Sequence, residues 1–290
     1  MQIAIDSYCY HRYFGEWYEG LQQDVGERIS VWDFLDKAQA FGVQGVSLES
    51  CFVPFDEPGV IARLRRELDE RNLSRVWAWG HPNGLRSGAD EAAARDLEKH
   101  IAIATELGAS VMRICAGGRR TRVADWAEHK AGLVRLLTPV LQVAERHGVV
   151  LAIENHIDLY ADELLDLLQT MASPWLGVCL DTANNLRLFE DPVQVTKKLL
   201  PWVRATHIKD VTTQRGDPKT FAFWPSVPLG EGLVPLPEIL ALLKGSGYAG
   251  LLAVEIDYLH PRYESEEVEL GRSLAFLRRE TERLHAVETD

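Results

Sequence analysis

The chain has 290 residues, 46% of them hydrophobic and 26% charged, which suits a large folded core and excludes a disordered chain. A formal net charge of −12 repels phosphate backbones and anionic lipid, so nucleic acid and membrane surfaces are not the expected partners. No apolar run reaches the length of a membrane span and "MQIAIDSY" lacks the basic start of a secretion signal. The four cysteines (Cys9, Cys51, Cys115, Cys179) form no Cys-x-x-Cys, so reduced thiols and a cytoplasmic location are expected.

Taken in chain order, short apolar runs alternate with helical patterns. The runs are "QIAID" (2–6), "GVSLE" (45–49), "RVWAWG" (75–80), "SVMRIC" (110–115), "VVLAIE" (149–154), "LGVCLD" (176–181), "ATHIKD" (205–210) and "GLLAVE" (250–255). Between them, stretches such as 31–42, 90–108 and 134–148 place apolar residues at three- and four-residue spacing. Ser30 and Asp33 form a helix N-cap pair, and Gly42, Gly108, Gly148 and Gly245 sit where helices should stop. Eight strand–helix units without a dividing linker predict one (β/α)₈ TIM barrel spanning residues 1–290 as a single domain. A doubly wound open sheet is the alternative, but no Gly-x-Gly-x-x-Gly follows the first strand. Two connections stand out: the long loop 211–235 after the seventh strand and the aromatic stretch 8–20 after the first.

Parallel strands covered on both faces should be apolar throughout. Here Glu49 ends the second strand, Arg113 lies on the fourth, and Glu154, Asp181, His207 and Glu255 lie at the ends of the fifth to eighth. Residues two apart share a strand face. Ala152, Cys179, Ala205 and Ala253 therefore lie beneath Glu154, Asp181, His207 and Glu255, and the larger Ile153, Leu180, Ile208 and Val254 face the helices. The polar four are predicted to converge over the barrel axis, at the rim where barrel active sites form. Three carboxylates and an imidazole brought together call for a divalent cation, Mn²⁺ first, with Mg²⁺ or Co²⁺ as alternatives. Ion pairing of each carboxylate with Lys or Arg is the competing reading.

The segments "AIENH", "GVCLDTANN", "ATHIKDV" and "AVEIDY", in this order, resemble the xylose-isomerase-like TIM barrels. That superfamily includes sugar and sugar-phosphate isomerases and epimerases, inosose-processing enzymes and endonuclease IV (AP endonuclease family 2). The resemblance extends over "PLGEGLVPLPEILALLKGSGYAG" (228–250) and covers nearly the whole chain. It implies that Glu154, Asp181, His207 and Glu255 bind the metal, that Glu154 and Glu255 also move protons, and that the chain forms a homo-oligomer. One departure matters. Many relatives carry Asp-x-x-His at the sixth strand, whereas "DTANN" puts Asn184 there, a group that hydrogen-bonds a hydroxyl but does not titrate.

Further candidates surround this set. His156 is read as a proton shuttle, a substrate ligand or an orienting group. Lys209 stabilises an enolate oxygen or binds a carboxylate, or else faces solvent, and Asp257 is placed to pair with it. Arg113 takes an anionic substrate group or pairs with Glu49. His81 follows the third strand into the site, while His11 is assigned to the surface. Tyr8, Tyr10, Tyr13, Phe14, Trp17 and Trp224 form a stacking wall for a sugar or aryl group, or an oligomer contact. Asn155 faces away and is structural; Cys115 and Cys179 are core residues. The expected activity is a metal-dependent isomerase or epimerase acting on a ketose, oxo-sugar or polyol ketone through an enediolate. A lyase on an oxo-sugar or sugar acid, by dehydration, decarboxylation or glycoside elimination, is the runner-up. A non-catalytic sugar-binding barrel and an abasic-site nuclease are the readings from other classes.

Overall fold

The computed structural model describes residues 1–214 and 224–286. Eight parallel strands close into a barrel: β1 (Gln2–Asp6), β2 (Gly45–Glu49), β3 (Ser74–Ala78), β4 (Val111–Ile114), β5 (Val150–Glu154), β6 (Leu176–Asp181), β7 (Val203–Ile208) and β10 (Leu251–Val254). Their order around the ring is β1-β10-β7-β6-β5-β4-β3-β2. Eight helices surround them: α1 (Val31–Ala40), α2 (Val60–Glu70), α3 (Glu91–Leu107), α4 (Trp126–His147), α5 (Ala161–Met171), α6 (Pro192–Leu199), α7 (Leu236–Gly245) and α8 (Glu266–Ala286). This is the (β/α)₈ architecture that the alternation of patterns predicts. Among the described residues no helix is long and apolar enough to cross a membrane.

Local chemistry explains most boundaries. Ser30 and Asp33 form a reciprocal capping box on α1. Gly108 and Gly148 end α3 and α4 in the left-handed conformation that glycine adopts without steric cost. Two expectations shift. Helix α7 includes Gly245, and the left-handed residue beyond it is Gly247 (φ +79°). Helix α4 starts at Trp126 behind the cap of Asp125, eight residues before the predicted 134. Its first turns hide behind Gly132, which reads as a breaker. In the fold Gly132 lets the chain approach Gly88, where an added Cβ would lie 2.4 Å from the Gly132 carbonyl carbon.

The barrel interior holds few and small side chains. Ala4, Val76, Ala152, Cys179, Ala205, Leu251 and Ala253 form a buried cluster of their own, apart from the larger core between sheet and helices. Leu251 fills its base, and a Cβ on Gly45 would come within 2.6 Å of it, which accounts for the glycine. The strand-parity argument is thus visible in the packing: the small residues line the axis and the aliphatic ones face outward.

The seventh strand lies two residues earlier than 205–210, and the loop after it is partly ordered. β8 (Asp210–Val211) pairs antiparallel with β9 (Ser226–Val227). The Asp210 carboxylate accepts hydrogen bonds from the amides of Val211, Gly230, Gly232 and Val234 at 2.8–3.0 Å. A Cβ on Gly232 would lie 2.0 Å from Asp210 Oδ1, so that cradle needs glycine. Residues 215–223 of the predicted loop lie outside the described residues.

Candidate active site

The C-terminal strand ends deliver a compact polar set. Asp6, Glu154, Asp181, His207 and Glu255 are all buried. Asp181 and His207 are direct register partners, and the Glu255 amide donates to the Ile208 carbonyl, keeping Glu255 level with them just past the end of β10. The four strands β10, β7, β6 and β5 are consecutive neighbours in the ring, so their terminal side chains form one arc. His207 Nδ1 lies 3.7 Å from Glu154 and 3.6 Å from Glu255, while its Nε2 lies 3.4 Å from Asp6. Ligand atoms of Glu154, Asp181 and His207 lie within 4.8 Å of one another.

Asp6 is a group that sequence reasoning passed over. Its signal was present: it ends "QIAID" with Ala4 beneath it, on the same pattern as the other four. Burial alone would raise its carboxyl, but His207 holds it below the usual range.

Two cations are built into the arc. Arg113 Nη2 lies 3.1 Å from Glu49, as its pairing alternative expects, and its Nε lies 2.8 Å from Glu154, so it bridges two carboxylates. Arg113 is thus engaged by two carboxylates while it lines the cavity. Lys209 is buried, against the solvent-facing alternative, with Nζ 3.0 Å from Asp181, 2.6 Å from Glu255 and 3.1 Å from Asp257. Burial alone would discharge this ammonium, yet the three carboxylates hold it well above the ordinary lysine value. Ion pairing with Arg and Lys thus exists at this site, alongside the cluster of ligand atoms.

The pairing is incomplete. Asp6, Glu49, Glu154, Asp181, Glu255 and Asp257 outnumber the permanent cations Arg113, Arg187 and Lys209 two to one. Burial lifts Glu49 and Glu255 to about 7 in spite of the nearby cations. Burial would raise Glu154 as well, but Arg113 and His207 hold it well below the carboxylate range. Asp181 Oδ2 and Glu255 Oε2 face the Lys209 ammonium at 3.0 and 2.6 Å, and both His207 nitrogens are buried against carboxylates without a hydrogen bond. Carboxylates in excess of arginine and lysine, gathered with an imidazole into one O and N donor set, fit a divalent cation.

The surrounding shell is mostly hydrogen-bonded. Asn184 donates to Glu154 at 2.9 Å and accepts from Arg187 at 3.2 Å. Asn155 is structural, joining the Asp181 backbone to Asn185. His156 lines the cavity above this set, and its Nδ1 lacks a hydrogen-bond partner. His81 lines it too, stacked on Trp79 at 4.9 Å. The cavity measures about 640 Å³.

The aromatic wall is smaller than predicted. Tyr8 lines the cavity together with Tyr18, which was not among the candidates. Tyr10 is buried in the core against Phe34, and Phe14 stacks on Phe52. Trp224 does not line the cavity; its ring packs on the core and its carbonyl accepts from Arg187. His11 is fully buried, contrary to its surface assignment, bonded to the Tyr8 carbonyl and Gln22. Cys115 and Cys179 are buried, and burial pushes both thiols up, so neither is a ready nucleophile. Arg187, on a 3₁₀ turn (Asn184–Leu188), and Glu16, on a loop, also line the cavity, and strand parity carries no information for either.

A family model for the xylose isomerase-like TIM barrel matches residues 35–280. The chain belongs to that family. Within the family it is 29% identical over 256 residues to a 2-epi-5-epi-valiolone 7-phosphate 2-epimerase of an Actinoplanes species, covering 85% of this chain and 90% of the relative. It is 23% identical to an inosose dehydratase of Bacillus licheniformis, covering 81% and 83%. Among solved structures, a xylose isomerase-like TIM barrel protein from Mycobacterium smegmatis in complex with magnesium superposes with a TM-score of 0.71 at 19% identity, over 98% of this chain and 97% of that one. The first two of these relatives carry the names of an epimerase and a dehydratase.

Proposed function

We propose that the protein is a metal-dependent isomerase or epimerase of a small hydroxy-ketone such as a ketose, an oxo-sugar or a cyclic polyol ketone. The observation that carries this reading is the position of two glutamates, Glu154 and Glu255, each within 4 Å of one imidazole nitrogen, at the two ends of the arc. Glu154, Asp181, His207 and Glu255 would hold the cation, Mn²⁺, Mg²⁺ or Co²⁺. Bound there, a divalent ion supplies Lewis acidity that lowers the pKa of a C–H beside a substrate carbonyl. The magnesium in the mycobacterial relative supports a divalent ion of this kind.

The chain's own residues do the rest. One glutamate removes the acidified proton and the other returns it at a new position. Arg113 and Asn184 fix the orientation of Glu154, and Lys209 contacts Glu255. Lys209 also supplies a positive charge where oxygen becomes anionic. His156 and His81 line the space for substrate hydroxyls. The dehydratase reading has its own support. Asn184 does not titrate, and a buried ammonium such as Lys209 suits loss of water from the same intermediate.

Incubation with a panel of ketoses and inososes in deuterated water, with Mn²⁺, tests both. Deuterium at a carbon next to the carbonyl, lost in Glu154→Gln and in Glu255→Gln, is the expected result. Dehydrated product would assign the dehydratase. Neither deuterium nor product with any substrate of the panel would refute the enzyme reading.

A further inference from the structure

Asp6 ends β1 above the small Ala4, and the two oxygens of its carboxylate have different neighbours. Oδ1 accepts the Tyr8 amide at 2.7 Å and so caps the 3₁₀ turn Ser7–Tyr10. Oδ2 is buried, makes no hydrogen bond and faces Nε2 of His207 at 3.4 Å. Ser47, the register partner of Asp6 on β2, brings a hydroxyl beside the same carboxylate. β1 and β7 are not neighbours in the ring, because β10 lies between them. On that intervening strand Ala253 is the register partner of both Ala4 and His207 and belongs to the small axial cluster. Only a methyl group therefore stands at the level where the imidazole crosses toward β1; a larger side chain would separate it from Asp6.

The two edges of the His207 ring face different groups. Nδ1 looks to the arc, with Glu154 at 3.7 Å and Glu255 at 3.6 Å, while Nε2 looks to Asp6. Turning the ring over would bring carbon atoms to both places, so the carboxylates on its two sides select one orientation. A carboxylate only accepts hydrogen bonds, so the nitrogen beside Asp6 is the one that keeps a proton.

We propose that Asp6 is a positioning residue for His207: its carboxylate holds the ring against the arc and keeps a proton on Nε2, which leaves Nδ1 as the nitrogen for a divalent cation. The inference rests on the metal-dependent reading above and adds a residue of the first strand to it. Asp6 acts through His207 and touches neither cation nor substrate in this role.

Asp6→Asn is the telling substitution. Asn keeps the size of Asp and an acceptor for the Tyr8 amide, but it then turns its NH₂ toward Nε2. An NH₂ donates, so Nε2 would have to accept and the ring proton would move to Nδ1, the nitrogen that faces the arc. Asp6→Ala loses the cap as well but imposes no tautomer. Calorimetric titration of the full chain with Mn²⁺ should rank affinity as wild type, then Asp6→Ala, then Asp6→Asn. The last should be weaker than wild type by roughly 10–100-fold, although its thermal melt is the nearer to wild type. A role in folding alone would reverse the two variants, because Asn replaces Asp more conservatively than Ala does. Histidine ¹⁵N NMR of the chain in Mg²⁺ gives a second readout: His207 should carry its proton on Nε2 in wild type and on Nδ1 in Asp6→Asn. Equal Mn²⁺ affinity of wild type and Asp6→Asn, or weaker binding by Asp6→Ala than by Asp6→Asn, would overturn the proposal. A wild-type spectrum with the proton on Nδ1 would do so without any variant. Wild type that binds no Mn²⁺ would overturn the metal-dependent reading and this inference with it, whereas Mn²⁺ binding that is indifferent to residue 6 counts against Asp6 alone.

Discussion

Replacing Arg113 by Met tests how the site is held together before any substrate arrives. The guanidinium bridges Glu49 at 3.1 Å and Glu154 at 2.8 Å, and all three side chains are largely withdrawn from water. Met keeps much of the volume, so the change is chiefly electrostatic. Breaking a buried pair while leaving its partner behind costs about 3–5 kcal/mol, most of it the stranded charge. For a chain of this size that corresponds to a fall in Tm of roughly 5–15 °C. Glu49 already sits at about 7 and would rise further, so one of the two glutamates would take up a proton. Neutralising the stranded partner should therefore repair part of the damage: Arg113→Met/Glu49→Gln should regain about 1–3 kcal/mol over the single variant. The assay is calorimetric melting of wild type, both single variants and the double variant at neutral pH. A single variant within ~2 °C of wild type, or a double variant no better than Arg113→Met, would refute the bridge as the support of Glu154.

Three further outcomes follow from the same contacts. Added Mn²⁺ at about a hundredfold its Kd should raise the melting free energy by about 2.7 kcal/mol in wild type, and far less in Asp181→Asn; an equal gain in both would remove Asp181 from the ligand set. Asp210→Ala strands four amides, so hydrogen exchange at Gly230, Gly232 and Val234 should accelerate at least tenfold; unchanged protection there would show that the carboxylate does not organise the loop. Glu163 is held below its ordinary value by Arg122 and the Tyr160 amide, which outweigh its burial. Its stabilising effect is therefore complete above the unfolded glutamate pKa and is lost as pH falls through the folded value. Arg122→Met should flatten the stability profile in that acidic window, and parallel profiles for the two proteins would contradict it.

Much of this architecture was legible in one dimension. A strand alternates its faces, so the small residues beneath Glu154, Asp181, His207 and Glu255 were enough to aim all four inward, and they lie along the axis as a separate cluster. The same rule, applied to "QIAID", would have found Asp6. It failed where the chain leaves regular structure. Tyr18 and Glu16 reach the cavity from a loop and Arg187 from a short 3₁₀ turn, none of which shares the strand period. In sequence His11 reads as a surface residue and Tyr10 as part of a stacking wall, but a short 3₁₀ turn (Ser7–Tyr10) folds both into the interior.

What the sequence determined by itself is therefore the kind of site: which strand ends are polar, which face they occupy and what donor set they make. The tertiary structure decided who meets whom. Closure of the ring sets β1 beside β10 and brings Asp6 to His207, two groups 201 positions apart. It turned Lys209 from a rim residue into the neighbour of three carboxylates, and gave Arg113 two partners at once. Local periodicity dictates orientation because it acts through the backbone of adjacent residues; partnership between charges depends on distances that exist only once the barrel has closed.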